Sequence, residues 1–246
     1  MKRDAGGPLL ALPRDPDLEP LRGDDRFTRV VEASEEKWRA TFRDEPELLM
    51  FPPKGASTGV LLIALHGSQA FSLDDFVAQW EPLSSLGIAL VVPRSTQAAN
   101  SDGGATWDDR TQMERDVRLA FERAKSRFAT TRVVIGGFSA GGTAAITTTV
   151  IGRPAIEPIG FIVVGAVINP ELADALNQAD PSLRGWIIVG EKDWARDGCL
   201  ALAEQARVVG LPWHIEVVPG IGHKIPDDFP SRSRQAMDFL LSTPRD

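Results

Sequence analysis

Short apolar runs recur along the chain from residue 60 onward and predict a buried parallel sheet. The runs are Val60–Leu65, Ile88–Val92, Val133–Ile135, Phe161–Val164, Ile187–Val189 and Ile215–Val218. They are too short for helices, and nearly continuous apolar character is typical of strands that are covered on both faces. Between the runs, Asp108–Phe128 carries apolar residues at helical spacing, and Ala201–Val209 and Ser233–Leu241 also favour helices. This alternation predicts an α/β fold with a doubly wound, mostly parallel sheet.

The chain before residue 60 has a different pattern. Three short stretches, Phe27–Val31, Lys37–Arg43 and Glu47–Phe51, precede the first apolar run. In the second stretch apolar and polar residues alternate, and this period of two is the mark of a half-buried strand. We therefore expect an antiparallel N-terminal edge on the sheet. Residues 1–25 are rich in Pro, Gly and Asp and predict an irregular arm, which leaves 26–246 as one domain.

Composition narrows the possible partners. A share of 43% hydrophobic and 25% charged residues is typical of a globular protein. The net charge of −7 argues against a nucleic-acid partner, because an acidic surface repels phosphates. The single cysteine, Cys199, excludes an intramolecular disulfide and a cysteine-based zinc site, and three histidines make a histidine-rich metal site unfavourable. We expect neither a metal nor an organic cofactor.

The apolar segments are too short to cross a membrane. The apolar part of the N-terminus, Leu9–Leu12, is also far shorter than the core of a secretion signal. We therefore expect a cytoplasmic protein without a membrane span. The sequence leaves its oligomeric state open between a monomer and a homodimer.

One glycine-rich turn carries the clearest chemical motif. The predicted strand Arg132–Ile135 runs into Gly137-x-Ser139-x-Gly141, and a helix-compatible segment, Thr143–Val150, follows. A serine on such a sharp strand-to-helix turn has its hydroxyl lifted above the sheet, and flanking side chains would collide with the neighbouring backbone. The helix that begins there directs backbone N–H groups at developing negative charge. We predict that Ser139 is a nucleophile; the alternative is an ordinary helix-capping serine.

A serine hydroxyl needs a nearby base, and in hydrolases with this turn the acid and then the histidine follow the serine. Only His214 and His223 follow Ser139. His214 lies within a predicted strand, which commits its side chain to a sheet face. His223 ends a glycine-rich loop at the carboxyl end of that strand, where the sites of α/β proteins are built. We therefore predict that His223 is the general base.

The acid should follow the strand that ends at Val189. Asp193 lies in the turn after this strand and is our choice for the carboxylate that orients the histidine. Asp197, one helical turn later, is the second candidate, and Glu191 lies closer to the strand end. A plain turn or helix-capping role is the alternative for Asp193.

Backbone amides are predicted to bind the oxyanion. One donor is the N–H of Ala140, the residue after the nucleophile, and the other comes from the loop that follows Val60–Leu65. Ser68 is the first candidate in that loop and Gln69 the second. His66 precedes the nucleophile in the chain, so we expect it to hold the loop rather than act as the base.

These motifs together resemble the α/β-hydrolase superfamily over about residues 58 to 243. The matching segments are Leu65-His66-Gly67, Gly137 to Gly142, Gly190 to Asp193 and Gly222-His223. More narrowly they are similar to its carboxylesterase/phospholipase branch and to dienelactone hydrolases, as are Val92 to Ser95 and Thr106 to Asp108. Two segments depart from that branch: it often has Gln where this chain has Ala140, and Val-Pro where this chain has Trp194-Ala195-Arg196. These departures bear on which substrate is bound rather than on the type of reaction.

The resemblance and the candidate triad imply a serine hydrolase that cleaves a carboxylic ester or thioester through an acyl-enzyme. A peptidase, a lactone hydrolase or an acyltransferase with the same triad is the alternative, as is a non-catalytic binding protein of similar fold. A nucleotide-binding domain is disfavoured because the chain has no phosphate-binding loop. Gln69 and four aromatic residues are candidates to contact substrate, with core packing as the alternative for the aromatics: Phe71, Trp80, Trp107 and Trp194.

Overall fold

A computed structural model describes residues 16–70, 72–99, 104–152 and 156–242. Its strands are β1 (Glu47–Phe51), β2 (Val60–Leu65), β3 (Ala89–Arg94), β4 (Gln97–Ala98), β5 (Ala105–Thr106), β6 (Arg132–Phe138), β7 (Gly160–Val164), β8 (Arg184–Gly190) and β9 (Trp213–Val218). Its α-helices are α1 (Asp25–Arg39), α2 (Asp74–Trp80), α3 (Arg110–Arg127), α4 (Ala140–Val150), α5 (Pro170–Ala175), α6 (Arg196–Val208) and α7 (Phe229–Leu241). Short 3₁₀ helices cover Pro16–Leu21, Glu81–Leu86 and Leu176–Gln178.

Seven strands form one sheet in the order β1-β3-β2-β6-β7-β8-β9. All neighbours pair in parallel except β1, which runs antiparallel to β3 with Leu49 opposite Val92. The predicted mostly parallel sheet with an antiparallel N-terminal edge is therefore confirmed. The carboxyl ends of the parallel strands lie along the same edge of the sheet, so the loops that follow β2, β6, β8 and β9 come together at that edge.

Two apolar layers cover the two faces of the sheet. In β2, Leu61 and Ile63 belong to the apolar layer that α3, α4 and α6 cover, while Leu62 belongs to the layer of α2 and α7 on the other face. Because successive side chains of a strand point to opposite faces, a strand between two helical layers must be apolar throughout. All six residues of β2 are buried, which explains the uninterrupted run in the sequence.

The first two N-terminal stretches are helical, and the prediction that they are strands is wrong. Phe27–Val31 and the start of Lys37–Arg43 lie in α1, whose first turn is capped by the carboxylate of Asp24, which accepts a hydrogen bond from the Arg26 N–H. Val31 and Trp38 are its buried residues. They are seven positions apart, which is two helical turns, so the pattern that decides the structure is longer than the seven residues that alternate.

Two further findings concern the whole described chain. Within the part of the predicted arm that the structure describes before α1, residues 16–24, Pro16–Leu21 is a 3₁₀ helix. Among the described residues, no helix combines the length and the apolar character that a bilayer crossing requires.

Candidate active site

Ser139 lies between β6 and α4 in an unusual backbone conformation. Its φ of 54° and ψ of −121° are rarely adopted by residues other than glycine and cost about 1–3 kcal/mol. The two motif glycines make room for this turn. A Cβ atom on Gly137 would lie 2.2 Å from the carbonyl oxygen of Gly141, and one on Gly141 would lie 2.1 Å from that of Leu65. The spacing G-x-S-x-G is therefore a packing requirement of a turn that presents the serine hydroxyl.

The structure brings Ser139, His223 and Asp193 into one hydrogen-bonded chain. His223 Nε2 lies 2.8 Å from Ser139 Oγ, and His223 Nδ1 lies 2.9 and 3.0 Å from the two carboxylate oxygens of Asp193. The Asp193 side chain is almost fully buried, whereas that of His223 is 22% exposed. This is the arrangement in which a buried carboxylate fixes the orientation of an imidazole that contacts a serine hydroxyl.

The other two acid candidates lie elsewhere. Asp197 is exposed and forms an ion pair with Arg196. Glu191 accepts a hydrogen bond from the Gly220 N–H at 2.8 Å and so supports the loop that leads to the histidine. Of the three carboxylates considered from the sequence, Asp193 is the one that contacts His223.

Gly165, which sequence reasoning missed, makes space for the acid and the histidine. It follows β7 with a φ of +55°, and a Cβ atom on it would lie 2.8 Å from Asp193 Oδ2 and 3.2 Å from the His223 ring. The only available signal was its place directly after an apolar run, as the first glycine at the carboxyl end of that strand.

Two aromatic rings flank the His223 imidazole. Phe138 lies 5.0 Å from it and Trp194 lies 4.7 Å from it between ring centroids. Trp194 is nonetheless 66% exposed. Trp194 therefore lies beside the histidine and faces solvent, and its contact with substrate stays a prediction.

The loop after β2 passes close to the nucleophile. A Cβ atom on Gly67 would lie 3.6 Å from Ser139 Cβ and 3.0 Å from the Phe138 ring. Ser68 is exposed in this loop, and its hydroxyl lies 3.2 Å from that of Thr106. On the other side, Ala140 is the first residue of α4, where backbone N–H groups have no partner within the helix. Ala140 thus directly follows Ser139, and Ser68 follows the glycine that approaches it; their role as oxyanion donors stays a prediction.

His66 is buried beneath this loop and has no contact with the triad in the hydrogen-bond network. Its Nδ1 lies 2.7 Å from the Gly67 carbonyl oxygen, and its Nε2 accepts a hydrogen bond of 3.1 Å from the Ser95 N–H. Burial lowers the pKa of His66 to about 4, so the ring is neutral at pH 7. The expectation that His66 holds the loop agrees with these bonds.

Two tryptophans predicted to line an acyl pocket belong to the core. Trp107 is 5% exposed and donates its indole N–H to the carbonyl oxygen of His66 at 2.9 Å. Trp80 is fully buried, packed between Phe229 and the bare backbone of Gly136. The structure contradicts the pocket role for both, because Trp107, in the segment between β5 and α3, packs against His66, and Trp80, on α2, fills the space over Gly136 of β6.

The remaining two substrate candidates have different outcomes. Gln69 is exposed with a φ of 61°, and it is not among the residues that line the cleft beside the triad. Phe71 lies outside the described residues.

A cleft of about 420 Å³ opens beside the triad between α2 and the loop that carries His223. Its apolar wall includes Phe76, Phe138 and Ile225, and polar groups surround these. The complete lining is His66, Gly67, Ser68, Ala70, Ser72, Asp75, Phe76, Gln79, Phe138, His223, Lys224, Ile225 and Asp227. This volume is within the range of small-molecule sites, near its lower end.

Cys199 does not compete as a nucleophile. Its thiol is buried and donates a hydrogen bond to the Ala166 carbonyl oxygen. Burial, together with the Asp193 carboxylate, raises the pKa of the Cys199 thiol to about 12. In the part of the chain that the structure describes, no group of three or more His, Cys, Asp or Glu side chains could hold a metal ion.

Neither a protein-family model nor a curated protein matches the chain. Solved structures do match it. An uncharacterized protein from Bacillus cereus ATCC 10987 is 23% identical with a TM-score of 0.65, over 94% of this chain and 75% of that one. Esterase PE8 is 18% identical with a TM-score of 0.64, over 80% and 100%. Zea mays acyl-protein thioesterase 2 is 15% identical with a TM-score of 0.61, over 79% and 99%. The chain therefore has the α/β-hydrolase fold.

Proposed function

We propose that the protein is a serine hydrolase that cleaves a carboxylic ester or thioester through an acyl-enzyme intermediate. The observation that carries the proposal is the chain of contacts from the buried Asp193 through His223 to Ser139 Oγ, with distances of 2.9 and 2.8 Å. The fold is shared with proteins named as esterases and as an acyl-protein thioesterase, which supports the choice of substrate class.

In the first step, Ser139 Oγ attacks the substrate carbonyl carbon while His223 Nε2 accepts the hydroxyl proton. The Asp193 carboxylate, which accepts the Nδ1–H hydrogen bond, stabilises the imidazolium that forms. The carbonyl oxygen becomes an oxyanion and is bound by the backbone N–H groups of Ala140 and Ser68. His223 then gives its proton to the leaving oxygen or sulfur, the bond to the leaving group breaks, and the acyl group remains on Ser139.

In the second step, water replaces the leaving group. His223 takes a proton from the water as its oxygen attacks the acyl carbon, and the same two amides bind the second oxyanion. The bond between Ser139 Oγ and the acyl carbon then breaks, the proton on His223 returns to the serine, and the carboxylic acid leaves.

The cleft favours a small substrate. Its volume of about 420 Å³ and the apolar contacts offered by Phe76 and Ile225 fit a short acyl or alcohol group better than a long lipid chain. Trp194, exposed beside His223, offers a second apolar contact outside the cleft. The cytoplasmic location stays a prediction, and the oligomeric state stays open between a monomer and a homodimer.

Hydrolysis of p-nitrophenyl esters from acetate to palmitate tests the proposal. We expect turnover that is greatest for the short chains and that disappears in Ser139→Ala. Ser126→Ala, which removes an exposed hydroxyl of α3, is the matched control and should retain full activity. Turnover by Ser139→Ala equal to that of the wild type would contradict the mechanism. If the folded protein hydrolyses no ester, the substrate class is wrong, and peptides and lactones are the next substrates to assay.

A further inference from the structure

Asp116, on α3, is a buried carboxylate that the proposed reaction does not use. Its residue is fully buried, and its side chain accepts hydrogen bonds from the Thr96 N–H at 2.8 Å, the Thr96 hydroxyl at 2.9 Å and the Gln112 amide at 3.1 Å. Burial raises the pKa of Asp116 above its ordinary value, and the hydrogen bonds that it accepts oppose this shift. A buried carboxylate that is not paired with a cation is costly for the fold. The segments that hydrogen-bond to Asp116 therefore indicate which part of the protein it stabilises.

The carboxylate fixes the segment that follows β3. Ser95, Thr96 and Gln97 are three consecutive polar residues, each at most 2% exposed. Asp116 binds the backbone and hydroxyl of Thr96 and lies 3.4 Å from the Ser95 hydroxyl. The peptide between Ser95 and Thr96 is thus held against α3, and the Ser95 N–H points to the neighbouring loop, where His66 Nε2 accepts it at 3.1 Å.

This bond determines which nitrogen of His66 carries the proton. A neutral imidazole has one N–H donor and one acceptor, and Nε2 is already the acceptor. The proton therefore lies on Nδ1, which donates to the Gly67 carbonyl oxygen at 2.7 Å. If the proton moved to Nε2, it would face the Ser95 N–H, and Nδ1 would face a carbonyl oxygen with no proton between them.

The Gly67 carbonyl in turn sets the direction of the Ser68 N–H. The described peptide bonds are all trans, and in a trans peptide the C=O and the N–H point in opposite directions. Because the Gly67 carbonyl is directed at the buried His66 ring, the Ser68 N–H is directed away from that ring. The same loop approaches the nucleophile at Gly67, where a Cβ atom would lie 3.6 Å from Ser139 Cβ.

We infer that Asp116 is a positioning residue for oxyanion binding, acting through Ser95 and His66 on the Ser68 N–H. The inference rests on the proposed function for its effect on rate, but the effect on the His66 ring is independent of any substrate. Gln112, which bonds both Asp116 and the Thr96 hydroxyl, belongs to the same group.

The first test compares the kinetics of Asp116→Asn with those of the wild type and of Ser233→Ala. Ser233 is a fully buried serine on α7 with a hydrogen bond to the Pro230 carbonyl oxygen, so its variant controls for a buried polar group lost on the face of the sheet opposite α3. We expect Asp116→Asn to lower kcat about 10- to 100-fold with KM within about threefold, because an oxyanion donor acts in the transition state and small displacements are costly. Ser233→Ala should stay within about twofold.

The second test reads the His66 ring by ¹⁵N NMR. The chain has three histidines, so the ring signals can be assigned by single substitutions. In the wild type at pH 7 we expect Nδ1 of His66 to be protonated and Nε2 to be unprotonated, and in Asp116→Asn we expect a mixture of the two tautomers. An unchanged ring in a folded Asp116→Asn overturns the inference, as does an unchanged kcat.

A milder variant decides the question if Asp116→Asn does not fold. Thr96→Val keeps the shape of the side chain and removes its hydroxyl, which donates to Asp116 and accepts from the Gln112 amide, while the Thr96 N–H bond to Asp116 remains. We expect its kcat to be about threefold or more below that of the wild type with KM preserved, and a folded Thr96→Val with full kcat overturns the inference. If the wild type hydrolyses no ester, the proposed function fails, while the NMR comparison still tests the link from Asp116 to His66.

Discussion

Acidification should destabilise the fold through His66, well above the pH at which most carboxylates titrate. The ring is buried, its Nε2 accepts a hydrogen bond from the Ser95 N–H, and burial lowers its pKa to about 4. The unfolded chain binds a proton at this histidine below about pH 6.5. Between pH 6.5 and 4 the unfolded state therefore holds more protons than the folded state, and stability falls as the pH is lowered.

The size of the effect follows from the shift in pKa. A change from 6.5 to about 4 corresponds to about 3 kcal/mol, and about 2 kcal/mol of this is lost by pH 5. Asp116 acts in the opposite direction, because its raised pKa favours the folded state as the pH falls. The loss of stability at low pH is thus attributed to His66 and not to Asp116.

Urea unfolding between pH 7.5 and 5 measures this loss. We compare the wild type with His66→Gln, which does not titrate, and with His214→Gln, which removes an exposed histidine of β9. The free energy of unfolding should fall by about 2 kcal/mol in the wild type and in His214→Gln. It should fall much less in His66→Gln, in which His214, whose pKa is lowered by partial burial, still titrates; that variant is also less stable at pH 7.5. An equal fall in all three proteins would refute the reasoning.

Three further substitutions test the site and the sheet beneath it. Asp193→Asn should lower kcat by about 10⁴-fold because the histidine loses the carboxylate that orients it, whereas Asp197→Asn should stay near the wild-type rate in the same ester assay. Gly165→Ala would place a Cβ atom 2.8 Å from Asp193 Oδ2 at a φ of +55°, so we expect a large loss of kcat in a protein that still folds by circular dichroism. Gly136→Ala would place a Cβ atom 2.4 Å from the Trp80 ring. Thermal unfolding should show that the free energy of unfolding falls by about 1–3 kcal/mol, while kcat changes less.

Local patterns in the sequence predicted the sheet and the position of the candidate triad. Each buried strand is apolar throughout because helices cover both faces, so the strands could be recognised one at a time. The turn at Ser139 could be recognised because the motif has a fixed local spacing: Gly137 is required by a contact within the turn, although Gly141 is required by the close approach of the Leu65 carbonyl. His223 and Asp193 followed from chain order and from their places after strands, and the structure brings these side chains into contact with each other. Their catalytic role stays a prediction.

Features that depend on contacts between distant segments could not be predicted. The alternation around Trp38 resembled a strand because seven residues are too few to distinguish the two periods. The helix instead buries Trp38, whose indole N–H donates to the Ala98 carbonyl oxygen of β4. Trp107 appeared to be a substrate contact, yet its indole bonds a carbonyl 41 positions away. The contact between Asp116 and Thr96 joins a helix to a loop that precedes it, and neither residue type signals such a partner.

Labelling by a fluorophosphonate probe tests the central claim most directly. This reagent forms a covalent bond to an activated serine oxygen, so it reports the nucleophile without knowledge of the substrate. We predict one probe per chain, located by mass spectrometry on the peptide that contains Ser139, and no labelling of Ser139→Ala. Labelling should also be much slower in His223→Ala, which lacks the base 2.8 Å from the serine oxygen. Two results would contradict the account: no labelling of the folded wild-type protein, or equal labelling of the wild type and Ser139→Ala.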